Sequence, residues 1–179
     1  MKLLLPVSVV FFILLSSSCV PLKKMERNDL LRSEKNDHEQ LNGVYRNYGT
    51  KTKSSYAHSL WYELDYNRRD TFKAPEQSTV SIEVLSNTKL KAVLKKDSTV
   101  IKTIIISGKY KEGYFSVKRS YHIIPFPFIY FRHDDHKIRI GITKNGNLVV
   151  DAAESHSGWI LMMAAGYREK YDLMFYRVR

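Results

Sequence analysis

From residue 78 onward, apolar and polar residues alternate, and short turn signals break the alternation into segments. Val80, Ile82 and Val84 alternate with Ser81 and Glu83, and Leu90, Ala92 and Leu94 alternate with mostly polar neighbours. Phe115, Val117, Tyr121 and Ile123 share one face with Arg119; Ile138, Ile140 and Ile142 share another, continued by Leu148, Val150 and Ala152. A period of two places such residues on one side of a β-strand. Asn87-Thr88, Lys96-Asp97, Glu112-Gly113, Asp134-Asp135 and Lys144-Asn145-Gly146 supply the turns. Val100–Tyr110 reads as a longer strand covered on both faces, Trp159–Ala164 as apolar on both faces, 165–168 as a turn, and Leu173–Val178 as the closing strand. The pattern predicts an all-β domain of eight to ten antiparallel strands in a meander. Such a sheet must dispose of its edges, and closure into a barrel does so. A two-sheet sandwich would use the same alternation.

Earlier in the chain, Leu41, Gly43, Tyr45 and Asn47 define one face of an opening strand. Gly43-x-Tyr45 resembles the Gly-x-Trp that begins the first strand of lipocalins, with tyrosine in place of tryptophan. Together with the meander, this resemblance implies a lipocalin-like barrel with a ligand-carrying interior. Ser54–Tyr66 has helical spacing instead: Tyr56, Leu60, Trp61 and Leu64 recur on one side, and Ser54 or Ser55 can cap the first turn. One short early helix is expected, packing Trp61 on the sheet or acting as a lid.

The first nineteen residues concern location. Lys2 precedes an apolar run, Leu3–Leu15, broken only by Pro6 and Ser8; then come Ser16, Ser17, Ser18 and the chain's single cysteine, Cys19. The run is shorter than the roughly 18–20 residues that span a bilayer, so a cleavable secretory signal fits better than an anchor helix. The stretch resembles the lipobox of bacterial lipoprotein precursors, in its serine-rich form similar to that of Bacteroidota lipoproteins. The resemblance implies that lipoprotein processing enzymes attach diacylglycerol to the Cys19 sulfur, cleave before it and acylate its new amino group. Two or three acyl chains hold a protein stably on a membrane. The other reading is an ordinary secretory signal with an incidental cysteine.

These readings divide the chain into a signal peptide (1–18), a lipidated Cys19 with a solvated tether (19–40), and one β domain (41–179). The tether has little that could pack, and as a flexible coil of about twenty residues it would reach roughly 25 Å. No acidic cluster follows Cys19, which favours an outer membrane location facing the periplasm. The leader holds one of the 29 Lys+Arg and none of the 18 Asp+Glu, which leaves an excess of +10 on the remainder. That charge favours anionic partners, and export with tethering argues against nucleic acid among them. Scattered lysines on outer strand faces are the simpler account of it.

Few residues suggest chemistry. His133-Asp134-Asp135-His136 has the residue types of a metal site, with His133 and His136 as its imidazoles, but sits where a solvated hairpin loop is expected. Arg119, if it points inward, needs an anion: an internal acid, or the ligand carboxylate that the resemblance to fatty-acid-carrying barrels implies; near a strand end it would instead reach solvent. The stretch 123–131 is apolar and carries Pro125 and Pro127, which suit an edge, corner or rim. Glu154-Ser155-His156-Ser157 holds residue types used in acyl transfer, but adjacency in sequence is the wrong geometry for a triad. No motif for metalloprotease, α/β-hydrolase or phosphate-loop chemistry is present. The expectation is therefore a non-catalytic envelope lipoprotein without cofactor, apart from its covalent lipid. It would bind an apolar or anionic amphiphilic ligand near Trp61, Arg119, Tyr121, Phe126, Phe128 and Tyr130. The alternative is an interaction module that docks a protein or glycan. An open interior would favour ligand carriage, and a filled one docking.

Overall fold

The computed structural model describes residues 29–31, 38–51, 59–65, 74–75, 77–118, 120–126, 130–160 and 163–178. Ten strands form one antiparallel sheet: β1 (Gly43–Arg46), β2 (Thr50–Lys51), β3 (Ser78–Ser86), β4 (Lys89–Lys96), β5 (Thr99–Lys111), β6 (Tyr114–Val117), β7 (Ser120–Phe126), β8 (Tyr130–Ile142), β9 (Leu148–Ile160) and β10 (Met163–Phe175). Their order is β1-β3-β4-β5-β6-β8-β9-β10-β2, with β7 beside β8. The meander is as the alternation predicts, and one sheet replaces the sandwich alternative. Tight turns at 87–88, 97–98 and 112–113 join β3 to β6, with Glu112 and Gly113 both at positive φ, the geometry of a two-residue hairpin.

The strand order is an open path, and the sheet does not close into the expected barrel. Its two ends, β1 and β2, are consecutive in the chain but separated by 47–49, where the ladder stops. Asn47 is fully buried, and its Nδ2 donates to Ser78 Oγ (3.0 Å) while its Oδ1 accepts from the Trp61 N–H (2.9 Å). Across the gap run a single bridge, Tyr45–Arg177, and two hydrogen bonds. Arg46 N–H donates to the Tyr176 carbonyl (2.9 Å) and Val178 N–H to the Val44 carbonyl (2.7 Å). At Gly49 the chain crosses so close to β10 that a Cβ would lie 1.9 Å from the Met174 carbonyl oxygen.

Inward side chains form one core. Tyr45, Val80, Ile82, Leu90, Ala92, Leu94, Ile104, Ile106, Phe115, Ile138, Ile140, Val150, Leu173 and Phe175 belong to a single buried cluster, and each large member contributes roughly 1.5–3 kcal/mol by leaving water. Only one face of β5 is covered: Ile105 and Val100 are exposed, contrary to the two-sided burial expected of that strand. A helix, α1 (Leu60–Leu64), plugs the core with Leu60, Trp61 and Leu64. Its N-cap is Ser59, whose hydroxyl accepts from the Tyr62 N–H (3.1 Å), one turn later than the sequence suggests. The remainder of the expected helix, 54–58 and 66, lies outside the described residues.

The 19–40 stretch is not wholly a solvated tether. Leu30 is buried with Tyr114 and Val149 on the outer side of the sheet, and Leu31 N–H donates to the Ile142 carbonyl (2.8 Å). Nearby, Arg139 forms a buried ion pair with Asp151 (2.8 Å) beneath the Tyr114 ring.

Candidate functional site

β8, β9 and β10 run thirteen residues each and extend past the apolar core. Their register sorts the inner face into rows across the three strands. Ile140, Val150 and Leu173 form one apolar row; Ile138, Ala152 and Tyr171 form the next. Beyond them the same face turns polar: His136, Glu154 and Glu169, then Asp134, His156 and Tyr167. The following row is Arg132, Gly158 and Ala165, and Tyr130 and Met163 flank the last. Asp134-Asp135 therefore lies inside β8 rather than in a turn, and 165–168 lies inside β10. The polar residues tolerate strand geometry because each meets a partner directly across the ladder.

The first polar row is buried. Glu63, presented by α1, and Glu154 have side chains 0% and 8% exposed. The Tyr171 hydroxyl donates toward Glu154 Oε1 (2.9 Å) and Glu63 Oε1 (3.2 Å), so one proton serves two carboxylates. His136 Nε2 stands 3.4 Å from Glu63 Oε2 and 3.5 Å from Glu154 Oε1, and when protonated it offsets their charge. Burial, then the two carboxylates, push the Tyr171 hydroxyl far above its ordinary pKa, so it remains a donor.

The second polar row is half open. His156 Nδ1 lies 2.8 Å from Asp134 Oδ1, and its ring stacks on Tyr167 with centroids 4.8 Å apart. Arg132 Nε donates to Asp134 Oδ1 (3.0 Å) from the other side. Desolvation alone would raise the Asp134 pKa, but hydrogen bonds from Arg132 and His156 outweigh it and hold the carboxyl below the usual range. Above this row the side chains shrink to Gly158 and Ala165, and the space they leave is a groove of about 770 Å³. Tyr130, Arg132, Asp134, His156, Met163 and Tyr167 line it. Gly158 is required by close approach, because a Cβ there would meet the Phe131 carbonyl oxygen at 2.7 Å. A second groove, about 680 Å³, lies alongside and is lined by Phe131, Ser155, Gly166 and Arg168 among others.

The sequence-derived candidates scatter. Trp61 lies in the filled core and not in the groove, whereas Tyr130 lines the groove. Tyr121 and Phe126 lie on β7, opposite Asp135 and Tyr130. Cys19, Arg119 and Phe128 lie outside the described residues. His133 and His136 fall on opposite faces of β8, so they cannot share an ion. Among the described residues no group of His, Cys, Asp and Glu has the arrangement of a metal site. The sequence reading missed Arg132, Asp134, His156 and Tyr167 as a set. Extending the Ile138–Ile142 and Leu148–Ala152 alternation outward by six residues would have aligned the first three.

No protein-family model matches this chain, and no curated protein or solved structure bears a significant likeness to it.

Proposed function

We propose that the protein binds an anionic amphiphile, such as a fatty carboxylate, in the groove above the His156 row, while lipid on Cys19 holds it to the outer membrane, facing the periplasm. The observation that carries the reading is the juxtaposition in one groove of an apolar rim, Tyr130 and Met163, with the Arg132 guanidinium and the His156 imidazole. An alkyl chain gains from covering the rim, and an anionic head gains from the half-exposed guanidinium, whose bond to Asp134 uses only Nε. Arg132 thus takes the part first given to Arg119. The ligand would lie in a surface groove and not in a barrel lumen, because the sheet is not closed into a barrel. Titration with decanoate and decanol tests this. Decanoate should bind at least tenfold more tightly, and Arg132→Met should abolish the difference. Equal affinities in the unaltered protein would overturn the reading. Membrane retention lost in Cys19→Ala would support the anchor, and unchanged retention would remove it.

Docking of a protein or glycan is the second reading. The neighbouring groove, lined by Ser155 and Arg168, favours it. In that case decanoate would not bind and the protein would be recovered in a defined complex.

A further inference from the structure

Resting on the amphiphile reading, we infer that the groove is also an ester-hydrolysing site, in which His156 is the general base and the substrate is an ester of a medium or long acyl chain. Four observations lead there. The imidazole is fixed on two sides, by the 2.8 Å contact of Nδ1 with Asp134 and by the Tyr167 ring. Register makes this arrangement intrinsic to the sheet: Asp134, His156 and Tyr167 are direct cross-strand partners. A proton on Nδ1, donated to Asp134, would leave the lone pair on Nε2, the tautomer a base requires. Nε2 stands 3.7 Å from a Glu154 carboxylate oxygen, an ion-pair contact too long for a hydrogen bond, and His156 lines the groove, from which a water could reach that nitrogen.

The nucleophile is water. Ser155 and Ser157 flank His156 in sequence but alternate onto the other face of β9. His156 Nε2 takes a proton from water as the water oxygen bonds to the ester carbonyl carbon. The bond from that carbon to the alcohol oxygen then breaks, and the imidazolium returns its proton to the departing alkoxide. A carboxylic acid and an alcohol result, and the acid ionises to the carboxylate that Arg132 is placed to hold. No oxidant, reductant or further reactant enters. Asp134 is a positioning residue and acts only through His156. Arg132 is the cation beside the charge that develops on the carbonyl oxygen.

Hydrolysis of p-nitrophenyl decanoate by the full-length protein, read beside decanoate binding, tests the inference. The expected rate exceeds buffer by about a hundredfold or more, the range a positioned base supplies, and falls in acid, where a general base is lost to protonation. His156→Gln should lower the rate to near background. Asp134→Asn should lower it at least tenfold and displace the pH profile. A flat profile, or full activity in His156→Gln, overturns the inference. So does decanoate binding without hydrolysis, which leaves the amphiphile reading standing; absence of both overturns the two together. If His156→Gln does not fold, the pH profile of the unaltered protein and the Asp134→Asn variant decide the matter.

Discussion

Replacing Tyr171 with phenylalanine deletes one hydroxyl on which two buried carboxylates converge. The ring keeps its place among Leu64, Ala152 and Leu173 in the core cluster, so no cavity larger than an oxygen opens. What is lost is a donor 2.9 Å from Glu154 and 3.2 Å from Glu63, both side chains shielded from water. A hydrogen bond to a charged partner contributes about 1.5–3 kcal/mol, and a buried acceptor left short of donors keeps its desolvation cost. Tyr171→Phe should therefore cost about 2–3 kcal/mol in urea unfolding at pH 7, or roughly 5–10 °C in Tm for a chain of this size. The loss should depend on Glu63. In a double-mutant cycle with Glu63→Gln the coupling should reach about 1 kcal/mol or more. A Tyr171→Phe variant within about 0.5 kcal/mol of the parent would refute the claim that this cluster holds α1 on the sheet.

Three further outcomes follow from the same residues. The native Tyr171 hydroxyl is held far above its ordinary pKa by burial and the carboxylates, and the Tyr45 hydroxyl is pushed up to about 12 by burial, partly offset by Arg177. Their contribution is complete below about pH 10 and lost as pH rises above it, by about 1.4 kcal/mol per pH unit per tyrosine, so Tyr171→Phe should lower the alkaline slope of unfolding free energy by about that amount. Asp134 behaves in the opposite sense: its lowered pKa contributes above the ordinary carboxylate range and is lost as pH falls through the native value. Asp134→Asn should thus be less stable than the parent at pH 7 by about 1–2 kcal/mol and lose that deficit in acid, as equilibrium unfolding at pH 7 and pH 3 would show. Ala165→Leu fills the groove from an exposed position, so it should weaken decanoate binding at least tenfold in a titration while shifting stability by only about 0.5 kcal/mol.

The all-β meander was legible because strand alternation is local: Val80–Val84, Leu90–Leu94 and Ile138–Ile142 state which face is buried without reference to any other strand. Closure was not legible. It depends on whether 43–51 runs as one unbroken strand, and the break comes from Asn47, whose side chain bonds Ser78 and α1, residues distant in sequence. The polar rows were misread for a related reason. Asp134 and His136 read as solvated loop residues and Glu154 and His156 as adjacent acyl-transfer types, and only the cross-strand register shows each opposite another. Leu30 likewise reads as an isolated apolar residue in a charged stretch until the Tyr114–Val149 surface is placed beneath it. Arg132 could not be singled out either, because the vacancy it borders is made by Gly158 and Ala165 on other strands.

Backbone NMR of the protein titrated with decanoate tests the groove most directly, because it reports position as well as affinity. Binding in the groove predicts saturable shifts largest at Arg132, His156, Gly158 and Ala165, with Leu41, Leu90 and Ile104 at the opposite, filled part of the core unmoved. Shifts centred on those core residues, or a titration that leaves the Arg132–Ala165 row unchanged, would contradict it.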